Sequence, residues 1–108
     1  MAYDARLAER VRRSLSRRKA VTEKKMFGGI AFLLRGKMCC GVLNDELVVR
    51  VGVARYRKAL ERPHVRPMDF TGRPLTGFVF VGRAGCQTDR ALKKWLDGAV
   101  DFVSTLRR

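Results

Sequence analysis

The chain has 108 residues, 46% of them apolar and 31% charged, with 24 Lys and Arg against 10 Asp and Glu. That size suits a single domain over residues 1–108, and the net charge of +14, with a pI near 11.1, points to an anionic partner, nucleic acid first. No apolar run approaches the ~20 residues of a membrane-spanning helix, and the opening MAYDARLAERVRR lacks the apolar segment of a signal peptide, so no membrane role and a cytoplasmic location are expected.

Residues 3–19 predict an amphipathic helix. Leu7, Val11 and Leu15 recur at helical spacing, Ala8 widens their face, and Asp4 suits the N-cap because its carboxylate can accept from free backbone N–H groups. Arg6, Arg10, Arg13 and Arg17 follow i, i+4, i+7, i+11 along the polar side, and Arg18 and Lys19 extend them toward the C-terminal end. Residues 1–19 hold seven basic residues against Asp4 and Glu9.

Thr22–Met26 reads as a first strand, with Phe27 entering the turn and Gly28-Gly29 allowing a sharp reversal or a bulge. The Gly pair is no phosphate-cradling loop, because neither GxGxxG nor GxxxxGK[ST] is present and no helix follows it. Three apolar runs come next, Ile30–Leu34, Met38–Leu43 and Leu47–Val51, separated by Gly36-Lys37 and Asn44-Asp45. Their β-branched and aromatic residues alternate at a period of two, which predicts three antiparallel strands joined by hairpin turns.

VARYRKALER then predicts a short helix with Val53, Tyr56 and Leu60 inward and Arg55, Arg57, Lys58 and Arg62 outward, ended by Pro63. HVRPMDF reads as an edge strand or an extended loop, and Thr71-Gly72-Arg73-Pro74 as a turn. Thr76–Val81 is the last strand, Gly82–Gly85 a loop, and Thr88 the cap of a final helix whose stripe is Leu92, Trp95, Leu96, Ala99, Val103 and Leu106. The fold class is α+β: an antiparallel sheet of about five strands with flanking helices, in two layers.

Chemistry has little support. His64 sits between Pro63 and Val65 with no acidic neighbour and reads as a loop-surface residue. Cys39, Cys40 and Cys86 show no CxxC spacing, and neighbours on a strand would point to opposite faces, so these thiols read as small buried apolar groups. No carboxylates pair at a telling spacing. The expectation is a non-enzymatic protein with no catalytic residues, no metal and no cofactor.

MFGG at Met26–Gly29, GKMCCGVL at Gly36–Leu43, ELVVRVG at Glu46–Gly52, MDFTGRPLTGFVFV at Met68–Val81 and TDRALKKWL at Thr88–Leu96 resemble the N-terminal domain of the TfoX/Sxy family. The resemblance runs from about Lys25 to Phe102. It implies an α+β domain similar to secretion-chaperone-like folds, with no catalytic residues to carry over. Founding members of the family regulate natural competence and act in transcription, in concert with the cyclic-AMP receptor protein. They carry a second, C-terminal domain for which 108 residues leave no room, so the resemblance is to a single-domain branch.

The expected function is regulation by binding. Nucleic acid would meet Arg6, Arg10, Arg13, Arg17, Arg18 and Lys19 of the first helix and Arg55, Arg57, Lys58 and Arg62 of the second. Such contacts would be directed to the backbone, since arginine forks suit phosphate and neither a helix-turn-helix nor an RNA-stacking sheet signature is present. The alternative is a protein-interaction module, docking a transcription factor or a second copy through the apolar sheet face around Leu33 and Val48.

Overall fold

A computed structural model describes residues 3–26, 28–69 and 72–106. Ten elements follow one another: α1 (Ala5–Ser14), β1 (Val21–Met26), β2 (Gly29–Leu34), β3 (Lys37–Leu43), β4 (Glu46–Arg50), α2 (Val53–Leu60), β5 (Val65–Asp69), β6 (Pro74–Val81), a 3-10 turn (Arg83–Cys86) and α3 (Asp89–Ser104). The strands form one antiparallel sheet in the order β1-β2-β3-β4-β6-β5.

The class is therefore α+β as expected, with six strands in place of about five. The additional strand is β5, at the sheet edge. Pro67 is tolerated there because an edge strand needs ladder hydrogen bonds on one side alone. Pro74, expected in a turn, begins β6 opposite Asp69. Thr71 of that turn lies outside the described residues, as does Phe27.

Turn chemistry sets the register of the hairpins. Asn44 takes φ 55° between β3 and β4, as a tight hairpin requires. The β2–β3 turn is centred one residue earlier than expected, on Arg35 (φ 53°) and Gly36 (φ 83°), so Lys37 belongs to the strand. Positive φ at both central residues matches the right-handed strand twist.

All three helices cover one face of the sheet. Leu7, Val11 and Leu15 from the first segment and Leu92, Leu96 and Val103 from α3 meet Phe32, Val42, Leu47, Val49, Val79 and Val81 in the main core. Asp4 caps α1 as expected, its Oδ1 accepting from the N–H groups of Arg6 (2.9 Å) and Leu7 (3.1 Å). The Leu7 bond, seconded by that from Arg6 and by Arg83, holds the Asp4 carboxyl below its ordinary pKa against an opposing effect of burial. Thr88 caps α3, accepting from Ala91 N–H at 3.1 Å.

Three further expectations change. The first helix ends at Ser14 instead of residue 19. There the Ser16 hydroxyl and N–H both donate to Arg13 O, and Ala20 turns the chain at φ 67°, so Arg17, Arg18 and Lys19 stand on a turn. Val53, expected inward, is 71% exposed at the start of α2. Cys39 and Cys40 share a face: the β2–β3 register shifts between Phe32 and Leu33, Phe32 facing Cys40 and Leu33 facing Met38, which leaves Cys39 as an extra residue. Both thiols enter the helix-covered core.

The opposite sheet face carries no helix among the described residues. Val48, Met68 and Phe80 are buried there by Met38, Leu43 and Phe78, and Arg66 lies over the Phe80 ring at 4.5 Å while paired with Glu46.

Candidate nucleic-acid interface

The expected basic residues lie on the helical layer, but they do not form one stripe. Arg6, Arg13, Arg17, Arg18 and Lys19 are exposed, whereas Arg10 is half-buried. Arg10 donates to Gln87 O at 3.0 Å and pairs with Asp89 at 3.2 Å, so it joins α1 to the start of α3. Arg18 pairs with Asp97 one further stretch along both segments, at 3.0 Å. These two cations hold the seam between the segments, while Arg6, Arg13, Arg17 and Lys19 form no ion pair among the described residues. Arg12 is locked between Glu23 (2.5 Å) and Glu9 (2.6 Å). Hydrogen bonding to Glu23, then to Glu9, raises its pKa further, and the same Arg12 bond lowers that of Glu23.

The turn at residues 15–20 opens a cleft of about 470 Å3 against the β2–β3 hairpin and α3. Arg17, Arg18 and Lys19 line one wall, Arg35 and Lys37 another, and Lys93 a third, above an apolar floor that includes Leu34, Val100 and Val103. Among the described residues Asp97 is the single carboxylate of the lining. Its pKa falls below the ordinary value chiefly through a 2.8 Å hydrogen bond from Lys93, with Arg18 adding to it and burial opposing. Arg35, Lys37 and Lys93 were not foreseen as site residues. Nothing in their local sequence marks them, and the hairpin alone carries them beside residues 17–19.

A second groove, about 800 Å3, runs along the other flank of α3 against α2. Arg55, Lys58, Arg62 and Lys94 line it together with Trp95, Asp97 and Asp101. Arg62 stacks over Trp95 at 4.7 Å, and the indole N–H donates to Gly85 O at 3.3 Å. Arg57 is exposed on α2 and stands outside this lining. The two predicted basic segments therefore flank a common helix, and Asp97 lines both depressions.

Groups suited to acid–base or metal chemistry do not converge. His64 is exposed in a turn at φ 68°, its carbonyl accepting from Gly82 N–H at 2.7 Å. Among the described residues no three His, Cys, Asp or Glu side chains lie together as metal ligands. Burial raises the Cys86 thiol, with Arg10 and Arg83 opposing. Of the adjacent pair, Cys39 is lowered, first by a hydrogen bond from Cys40 and then by Arg18 and Arg50 against burial, while Cys40 is raised.

Fold and surface together define a small α+β domain with one basic helical layer and one uncovered apolar sheet face. The chain belongs to the TfoX N-terminal domain family, whose model matches residues 13–103. No curated protein matches the chain. No solved structure does either.

Proposed function

We propose that this domain regulates by binding, and that its helical layer contacts the phosphate backbone of nucleic acid in a transcription or competence-type setting. The observation that carries this reading is the pair of basic depressions along α3, whose cations outnumber their carboxylates. Internal ion pairs engage Arg10, Arg12 and Arg18, whereas Arg13, Arg17, Arg55, Arg57 and Lys58 form none among the described residues. Neutralising several phosphates makes affinity fall steeply with salt, by about 0.9 in log K per contact for each tenfold rise in salt with duplex DNA. Titration of duplex DNA, single strands and RNA across a salt series tests it. Reversing Arg13, Arg55 and Lys58 to Glu should lower affinity and flatten the slope, and absence of binding at low salt would sink the reading.

A second reading rests on the helix-free sheet face. All three methionines of the described residues, Met26, Met38 and Met68, line a shallow apolar groove there with Leu43, Leu75 and Phe78. Met side chains adapt to varied partners, and this face suits a transcription-factor surface or a second copy of the chain. Sedimentation at rising concentration separates the two occupants. A Leu43→Asp chain that behaves like wild type in both sedimentation and partner binding would remove the second reading.

A further inference from the structure

We propose that the cleft between the 15–20 turn, the β2–β3 hairpin and α3 is a binding site for a metal-free nucleoside polyphosphate. The cleft is one of the two depressions along α3 on which the proposed nucleic-acid contact rests, so a nucleoside polyphosphate and nucleic acid would share its cations.

Among the described residues six cations, Arg17, Arg18, Lys19, Arg35, Lys37 and Lys93, converge on the cleft from three chain segments, and Asp97 alone opposes them. Like charges gathered in this way repel one another, and a multivalent anion relieves that repulsion. The backbone of two walls is tied together before any ligand arrives. Arg35 N–H donates to Ala20 O at 2.9 Å, tying the hairpin to the end of the 15–20 turn, and both residues sit at positive φ. Asp97 holds Arg18 and Lys93 in place from below.

Size and shape select the ligand. A volume of about 470 Å3 lies within the range of small-molecule sites. A sphere of that volume is ~10 Å across, whereas a whole duplex is wider than its own major groove, which alone spans ~12 Å, so a duplex meets the rim and cannot enter. Phosphodiesters along a strand carry one charge each, whereas a terminal phosphate carries about −1.5 to −2 and a phosphoanhydride chain packs such groups together. Leu106, half-buried beside the buried Leu34, Val100 and Val103, offers apolar surface to the nucleobase at the floor. Metal ions have no place in this arrangement. Mg2+ seeks carboxylates and phosphate oxygens in octahedral geometry, and the one carboxylate of the lining is engaged by Lys93 and Arg18. The protein cations themselves neutralise the phosphates, so Mg2+ competes with the site for the ligand.

The test is equilibrium titration of the full chain with ATP, ADP, AMP and inorganic tripolyphosphate, each with and without Mg2+. Affinity should fall from ATP through ADP to AMP, and saturating Mg2+ should weaken ATP binding by about tenfold. ATP should bind more tightly than tripolyphosphate, and equal affinity would overturn the nucleoside part of the assignment. Arg17→Glu with Lys37→Glu should weaken ATP binding by about tenfold or more, whereas Arg55→Glu with Arg57→Glu, the same change in charge, should alter it less than about threefold. Equal losses in the two variants would show diffuse attraction to a basic surface and overturn the site. Binding of AMP as tight as ATP, or strengthening by Mg2+, would also overturn it. Arg17→Gln set against Arg55→Gln, each removing one charge at an exposed residue, gives the same comparison should the double reversal fail to fold. Duplex DNA titrated against both variants distinguishes the two readings: a larger loss for ATP than for DNA in the Arg17→Glu, Lys37→Glu chain supports a polyphosphate site inside the cleft, equal losses would overturn it, and ATP binding without any DNA binding at low salt would sink the nucleic-acid contact alone.

Discussion

Asp97 is the point where charge in the helical layer can be adjusted by one atom pair. It accepts from Lys93 Nζ at 2.8 Å and from Arg18 at 3.0 Å, and it lines both basic depressions. Asp97→Asn keeps the shape and removes one negative charge. At a separation of about 7 Å and an effective dielectric of about 40–80, that charge repels a bound unit anion by ~0.6–1.2 kcal/mol. Anion affinity should therefore rise about three- to eightfold. The two ion pairs lost are 41% exposed on the Asp side, and each such pair contributes roughly 0.2–1 kcal/mol, so the denaturant midpoint should drop slightly. The pH dependence has a definite sign. The folded pKa of Asp97 is depressed, so its stabilisation is present above the unfolded value near 4 and is lost as pH falls through the folded one. The stability gap between wild type and Asn should be constant above about pH 5 and shrink in more acidic solution. Fluorescence-monitored denaturation over a pH series measures the gap, and ligand titration at fixed ionic strength measures the affinity. Weaker anion binding in the Asn protein would refute the reasoning, because it would mean that Asp97 matters more for holding Lys93 and Arg18 in place than for opposing the anion.

Gly52 combines φ 86° with a close approach, since a Cβ there would fall 2.5 Å from the Phe102 ring. Gly52→Ala should cost at least ~2 kcal/mol, whereas Gly36→Ala, at φ 83° in open space, should cost about 1 kcal/mol by chemical denaturation. A smaller loss at Gly52 than at Gly36 would contradict the packing of α3 against the end of β4. Asp4→Ala removes the α1 cap and should cost about 1 kcal/mol at pH 7. Because the folded Asp4 pKa is depressed, that difference should fade as pH drops below about 4, and a cost that persists at pH 2 would point to packing instead. Cys39, Cys40 and Cys86 are each at most 2% exposed, so alkylation followed by mass spectrometry should label them far faster in denaturant than in buffer. Comparable native labelling would show that the core opens locally.

The architecture was legible where local chemistry and period agree. Asn44, Asp4 and Thr88 act through their own backbone neighbours, so the hairpin turn and both helix starts could be read directly. The alternation of Phe32 and Val49 with their neighbours gave the sheet. What was missed depends on partners distant along the chain. The helical spacing of Arg6 to Arg17 continues past Ser14, but the bonds that end α1 come from Ser16 to Arg13. Cys39 and Cys40 looked like residues on opposite faces because a bulge is a relation between two strands and leaves no mark in one. The cleft was half legible for the same reason. Arg17, Arg18 and Lys19 stood out as a basic run, whereas Arg35, Lys37 and Lys93 became their neighbours by folding.

The sheet separates two kinds of surface. Helices, basic turns and both depressions lie on one side, and a groove of Met, Leu and Phe lies on the other. A net charge of +14 resists approach of a second basic surface, but the groove on the helix-free face is lined by no charged residue among those described, and Arg66 on that face is paired with Glu46. A protein docked on that face would leave the basic layer open to an anion, so the two binding readings are compatible on one molecule. Their salt dependence must then differ. Binding on the helical side should weaken steeply between low and physiological ionic strength, while apolar contact on the sheet side should hold or strengthen with a kosmotropic salt such as sulfate. Measuring both on Arg13→Glu and Leu43→Asp assigns each interaction to its layer. An Arg13 reversal that disrupts salt-insensitive binding as strongly as salt-sensitive binding would show that the two surfaces act as one.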